Sequence, residues 1–220
     1  DFAARAIAGI AKETGIPFRA AESRFEAIAN RDAQVELAGA MNSLAVSLMK
    51  IANDLRPLAS GPRAALGEII LPELQPGSSI MPGKVNPVIP EMIIQVAAHI
   101  IGKTASITTA GQNAPLELNM MNPLIAHETL SGISLLRESC LAFAGRCVDG
   151  ITVDAERCEY WIEWSLALVT PLATRIGYDK AAELAHIAFD RKRTIRDVVT
   201  ESGLLSEDEI ATLLDPRSMT

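Results

Sequence analysis

The residues best suited to chemistry lie in one short segment, residues 77–87, which reads GSSIMPGKVNP. Its glycines allow backbone N–H groups to approach a ligand closely, and such groups can stabilise a developing oxyanion. Lys84 adds a compact positive charge that suits a carboxylate, and the amide of Asn86 can donate and accept hydrogen bonds. The segment therefore predicts an anion site, although a serine pair and one lysine are equally typical of a mobile polar surface loop.

The sequence around this segment predicts long helices that would hold it. Pro87 and Pro90 suit the first turn of a helix, and a helix amino terminus adds a favourable potential for anions. The preceding stretch, residues 60–87, contains several glycines and prolines and no long periodicity, so we expect an extended loop there. Three long helices are predicted, at about 31–56, 87–110 and 119–149. The apolar seam of the first comprises Leu37, Met41, Leu44, Leu48, Ile51 and Leu55.

The rest of the chain predicts short amphipathic helices with dense, mixed charges. Asp154 suits an N-cap, and further short helices are expected at about 178–193, 194–202 and 206–214. The predicted fold is all-α, with a long-helix bundle over residues 1–150 and a small helical carboxy-terminal domain over residues 151–220. Because three long helices cannot bury all their faces on one another, we expect them to pack against the same helices of other subunits.

Composition argues against several classes of partner. The net charge is −7 without a basic block, which argues against nucleic-acid binding. Since uninterrupted apolar runs stay shorter than about 18 residues, no membrane span is expected. Three cysteines argue against a disulfide framework, and we expect a cytoplasmic location. Without a ligand-like Cys/His cluster, neither a metal nor another cofactor is expected, and His99, His127 and His186 are interpreted as structural.

Residues 77–87 closely resemble the signature loop of the aspartase/fumarase superfamily, GSSxMPxKxN. Four flanking stretches also resemble that family, in the same order along the chain: SGPR at 60–63, LGEI at 66–69, ELN at 117–119 and IGY at 176–178. The resemblance implies a helical-bundle lyase that eliminates a group from a four-carbon dicarboxylate to give fumarate. It also implies a homotetramer whose active sites are shared between subunits.

The resemblance implies a role for five residues. Ser78 matches the general base that removes the Cβ proton, and Ser79 would help to hold the intermediate. Lys84 and Asn86 match the residues that bind the substrate carboxylates. Glu91 matches an acid that pairs with a histidine of another subunit. The charge that builds up on the resulting aci-carboxylate would require such preorganised donors and cations.

The sequences on either side of the loop bear on the substrate. Residues 75–77 and 88–91 resemble aspartate ammonia-lyases more than class II fumarases, so we expect elimination of ammonia from L-aspartate. A class II fumarate hydratase and a non-catalytic member of the superfamily are the alternatives. The chain begins at Asp1 in a helix-like stretch, and the family's residues that recognise the leaving group, with its active-site histidine, have no counterpart here. We therefore expect a fragment that is inactive alone. Arg63 is expected to anchor the loop, with anion binding as the alternative.

Overall fold

A computed structural model describes residues 1–219, and the fold of that range is almost entirely helical. Its ten α-helices are α1 Phe2–Thr14, α2 Arg24–Ala29, α3 Asp32–Leu58, α4 Val88–Gly111, α5 Asn122–Arg146, α6 Ala155–Trp164, α7 Val169–Ile176, α8 Tyr178–Arg191, α9 Ile195–Ser202 and α10 Glu207–Leu213. Two strands of two residues each, β1 Ile69–Ile70 and β2 Thr152–Val153, pair antiparallel. The all-α prediction is confirmed.

The chain forms two compact units. The first unit combines residues 1–56 and 72–150, and the second combines residues 57–71 with the chain from Ile151 onward. This division differs from the predicted boundary in one segment, residues 57–71, which the prediction places in the bundle. The reason is the β1–β2 pairing, which places Ile69 opposite Val153. That residues 1–150 and 151–220 form two independent domains stays a prediction.

The first unit is built on α3, α4 and α5. The buried side chains between these helices are Ala38, Met41, Ala45, Val96, Ala97, Ile100, Ile107, Ala110, Ile125 and Leu136. Small alanines alternate with large aliphatic residues, which lets the helices approach closely. The predicted α3 seam is split: Met41 is buried, whereas Leu37, Leu44 and Ile51 are exposed on an adjacent face.

Helix α3 therefore has apolar side chains on its exposed face as well as on the face that is buried in the core. The helix is long and apolar enough to cross a membrane by length and composition alone, and core helices of soluble proteins pass the same test. Only 22% of its most apolar stretch is buried within the chain. The apolar residues that remain exposed therefore favour contact with a further apolar surface.

The second unit packs short helices around its own apolar core. Its buried residues include Leu168, Leu172, Leu184, Ile195, Val199, Ile210 and Leu214. Three of its helices begin with a side-chain N-cap, and the cap at Asp154 is one that the sequence predicts. Asp154 accepts a hydrogen bond from the N–H of Arg157 at 3.0 Å, Thr194 accepts one from Asp197 at 3.1 Å, and Ser206 caps α10.

Candidate active site

Residues 77–87, hereafter the signature loop, form a closed turn in the first unit. The N–H of Gly77 donates to the carbonyl of Lys84 at 2.8 Å, and Nδ2 of Asn86 donates to the carbonyl of Gly77 at 2.8 Å. A Cβ atom at residue 77 would lie 2.5 Å from the Lys84 carbonyl oxygen, which is too close. Only glycine fits here, so the two ends of the loop are held together by backbone contact.

The side chain of Ser78 accepts two hydrogen bonds from the backbone of the loop. Its Oγ accepts hydrogen bonds from the N–H of Ile80 at 3.2 Å and from the N–H of Met81 at 3.1 Å. Hydrogen bonds to the charged form of a group favour that form, so these amides would stabilise negative charge on the serine oxygen. The sequence indicated that loop amides could act in this way, and the structure identifies which two contact Ser78.

Lys84 is an exposed residue of the signature loop. Its side chain is exposed, and across residues 1–219 its ammonium has no hydrogen-bond or ion-pair partner. Gly83, just before it, has φ +76°, a left-handed conformation that favours glycine and turns the chain. The side chain of Ile80, at the tip, is 91% exposed. The ammonium is thus available to an incoming carboxylate.

The α4 helix begins directly after the signature loop. Val88 is its first residue, and Pro87 occupies the N-cap position. The side chain of Pro87 accepts no hydrogen bond from the first N–H groups of the helix. Glu91 lies in the first turn and is half-buried. Ser78, Asn86 and the amino terminus of α4 thus lie in one continuous segment. The roles predicted for the site residues stay predictions; these residues are Ser78, Ser79, Lys84, Asn86 and Glu91.

An ion pair between the buried Lys103 and the half-buried Glu128 joins α4 and α5, and the sequence alone did not reveal it. Nζ of Lys103 donates to Oε2 of Glu128 at 2.6 Å and to Oγ of Ser131 at 2.9 Å. The hydrogen bond from Lys103 lowers the pKa of the Glu128 carboxyl. Lys103 lies between Ile100 and Ile107 on the apolar seam of α4, and a lysine inside such a seam is the signal that could have revealed the pair.

Comparison with known proteins identifies the family. A family model described as "Lyase" matches residues 1–102, and one described as "Fumarase C C-terminus" matches residues 168–220. The chain belongs to the aspartase/fumarase superfamily. The family predicted from residues 77–87 is therefore confirmed.

Several superfamily relatives resemble nearly all of this chain. It is 47% identical to the mitochondrial fumarate hydratase of Dictyostelium discoideum over 96% of the chain and 43% of the relative. It is 45% identical to the mitochondrial fumarate hydratase of Homo sapiens over 99% of the chain and 43% of the relative. It is also 43% identical to the class II fumarate hydratase of Methylorubrum extorquens, over 100% of the chain and 46% of that protein.

Solved structures of the superfamily agree with the fold. A fumarate lyase:delta crystallin from Brucella melitensis superposes with a TM-score of 0.92 and 44% identity, covering 99% of this chain and 47% of that one. A class II fumarase from Schistosoma mansoni gives a TM-score of 0.86 and 38% identity, covering 93% and 43%. The chain thus spans less than half the length of these relatives. The sequence relatives are named fumarate hydratases. Their names therefore favour fumarate hydratase, the alternative given above, over the expected aspartate ammonia-lyase.

Proposed function

We propose that this chain provides the signature-loop part of a class II fumarate hydratase, which interconverts malate and fumarate by elimination and addition of water. The observation that carries the proposal is the geometry of Ser78, whose Oγ faces two amide donors, at 3.1 and 3.2 Å. The fumarate hydratase names of relatives 43–47% identical to the chain support the choice of substrate.

The proposed reaction proceeds in two steps. Ser78, as its alkoxide, accepts the Cβ proton of malate, and the electron pair of that C–H bond moves into the adjacent carboxylate to form the aci-carboxylate. When this intermediate collapses, the C–O bond breaks, and the hydroxyl leaves as water after it gains a proton. The amides of Ile80 and Met81 lower the cost of the alkoxide by donating to Oγ.

The extra negative charge of the intermediate requires cations and donors close to both carboxylates. Among residues 1–219 the ammonium of Lys84 has no partner, and the amino terminus of α4, which has no side-chain cap from Pro87, adds positive potential. Asn86 uses one N–H to hold the loop through Gly77, which leaves its second N–H for a carboxylate. Ser79 and Glu91 keep the roles that the family resemblance implies, in holding the intermediate and in pairing with a histidine of another subunit.

We propose a homotetramer as the assembly in which this site is completed. Leu37, Leu44 and Ile51 are spaced seven residues apart along one face of α3, and each is 41–45% exposed. An apolar stripe of this kind along a long helix fits the packing of near-parallel helices from several subunits. The cytoplasmic location stays a prediction, since several relatives are named as mitochondrial proteins.

Two chimeric enzymes would test which kind of lyase this chain can complete, since the residues that recognise the leaving group come from the host enzyme. In one, this chain replaces the matching segment of the Methylorubrum extorquens fumarate hydratase; in the other, it replaces the equivalent segment of an aspartate ammonia-lyase. Each purified chimera is assayed with malate and with L-aspartate by following the absorbance of fumarate. We expect the hydratase chimera to convert malate, and the ammonia-lyase chimera to be much less active on aspartate than its parent enzyme.

A Ser78→Ala variant separates a catalytic chain from a non-catalytic one. We expect this change to remove nearly all turnover from the hydratase chimera while its size by light scattering and its circular dichroism stay unchanged. Strong aspartate turnover together with an inactive hydratase chimera would contradict the hydratase proposal. A correctly assembled chimera that fails on both substrates would favour the alternative of a non-catalytic superfamily member.

A further inference from the structure

The second unit contains a cavity that lies outside the signature loop. It has a volume of about 470 Å³ and lies between the segment that precedes β1 and helix α6. Its lining includes Ser60, Arg63, Leu66, Arg157, Tyr160 and Trp161. All of these residues belong to the second unit, so the cavity is formed within one compact body.

The floor of the cavity is held in place by hydrogen bonds. Arg157 donates through Nε to the carbonyl of Leu66 at 2.9 Å and through Nη2 to the carbonyl of Ala65 at 2.7 Å. The indole N–H of Trp161 donates to the same Leu66 carbonyl at 2.8 Å. The guanidinium of Arg157 also lies 4.8 Å from the centre of the Trp161 ring. The aromatic wall is therefore preorganised.

These contacts reverse the expectation for Arg63. The sequence predicts that Arg63 anchors its loop. In the structure Arg157 makes those contacts instead, and within residues 1–219 the side chain of Arg63 has no partner. In the same range no carboxylate lies within 4.0 Å of either guanidinium. Two positive charges without a counter-ion thus border one cavity, in a chain whose net charge is −7.

We propose that this cavity binds a small organic carboxylate. The carboxylate would pair with Arg63, whose planar fork of donors matches its geometry, and the carbon skeleton would lie against Tyr160 and Trp161. A volume of about 470 Å³ is large enough for a small organic molecule, and Tyr160 and Trp161 offer it an apolar side. The aromatic walls distinguish this ligand class from inorganic phosphate. None of the lining residues belongs to the signature loop, and the proposal does not depend on the proposed reaction.

The test uses the tryptophan that lines the cavity as a reporter. The chain has two tryptophans, so the Trp164→Phe variant of the full chain reports on Trp161 alone. Benzoate is titrated while the fluorescence is recorded, with benzyl alcohol as a neutral analogue and inorganic phosphate as an anion without a ring. We expect a saturable change with benzoate and none with the other two. Calorimetry on the unmodified chain provides a second measurement in case the variant folds poorly.

Substitutions then locate the site. Arg63→Gln is expected to raise the Kd of benzoate by about tenfold or more, since hydrogen bonds to charged groups are among the stronger ones. Arg63→Lys keeps the charge but loses the planar fork, so its Kd should fall between those of wild type and Arg63→Gln. Arg191→Gln, a matched change at an exposed arginine of the same unit, and Lys84→Gln, in the signature loop, should leave the Kd unchanged.

Three results would overturn the proposal. The first is the absence of saturable benzoate binding by both fluorescence and calorimetry. The second is a Kd that Arg63→Gln leaves unaltered or that Lys84→Gln raises to the same extent, because binding would then occur elsewhere. The third is phosphate binding as tight as benzoate binding, which would indicate a simple anion site without use of the aromatic wall.

Discussion

At the scale of single residues, the same type of ion pair has different consequences in different surroundings. The side chains of Lys103 and Glu128 are only 9% and 18% exposed, whereas those of Lys50 and Asp54 are 74% and 51% exposed. Truncating one partner of a buried pair leaves the other charge uncompensated. We expect Glu128→Ala to lower the free energy of unfolding by about 3–5 kcal/mol, and Asp54→Ala by at most about 1 kcal/mol, in urea unfolding followed by circular dichroism.

A double replacement separates the effect of the pair's charges on stability from the effect of its packing. Changing Lys103 to Met and Glu128 to Leu together removes both charges and keeps the volume, so stability should stay close to wild type or rise. If Glu128→Ala proved as mild as Asp54→Ala, the buried position of the pair between α4 and α5 would be wrong.

Gly77 is a second single residue on which the site depends. A methyl group there would approach the carbonyl oxygen of Lys84 to 2.5 Å, and that neighbour is backbone. The signature loop would have to open, and small misplacements of catalytic groups can cost about 100-fold in rate. We expect Gly77→Ala to reduce kcat of the hydratase chimera to about that extent. Gly145→Ala, where a methyl group meets nothing within 4 Å, should leave kcat unchanged and serves as the control.

At the scale of elements, the cap of α10 makes one helix sensitive to acid. Hydrogen bonds from the backbone and hydroxyl of Ser206, together with Arg175, lower the pKa of Glu209 from 4.5 to about 2. A carboxyl whose pKa is lower in the folded than in the unfolded protein stabilises the fold at pH values above its unfolded-state pKa. This stabilisation is lost as the pH falls to the folded-state pKa. The contribution should therefore be full above about pH 4.5 and should disappear toward pH 2.

Thermal melts of Glu209→Gln would check this sensitivity. The variant should melt below wild type at neutral pH, and the gap in Tm should narrow as the pH falls from 4.5 toward 2. Glu207→Gln is the matched control in the same first turn, where the side chain makes no hydrogen bond among the described residues. A gap independent of pH would show that Glu209 acts through its shape and not its charge.

At the scale of the whole molecule, the exposed stripe of α3 predicts assembly. Leu44 and Ile51 are 44% and 45% exposed, and placing carboxylates in an apolar interface costs desolvation energy. We expect Leu44→Glu with Ile51→Glu to convert a tetrameric hydratase chimera into smaller species by light scattering, with loss of activity. Ser43→Glu, on the polar side of α3, should leave the tetramer intact. Persistence of the tetramer in the double variant would place the subunit interface elsewhere.

Much of the fold was accessible from the sequence because it depends on neighbours along the chain. The apolar periodicity predicted the three long helices within a few residues of their ends, and Asp154, Thr194 and Ser206 begin helices as capping residues should. The signature loop was located by its glycines, lysine and asparagine, and its likeness to the superfamily was confirmed. These features need only a few consecutive residues to be specified.

Only the tertiary structure decided which distant residues meet. It paired Ile69 with Val153 and so moved residues 57–71 into the second unit, and it joined Lys103 to Glu128 across two helices. It also divided the α3 seam into a buried and an exposed face. These outcomes depend on which elements distant in the chain come together. Because that is set by the shapes and free hydrogen-bonding groups of facing surfaces, periodicity along one helix does not determine it.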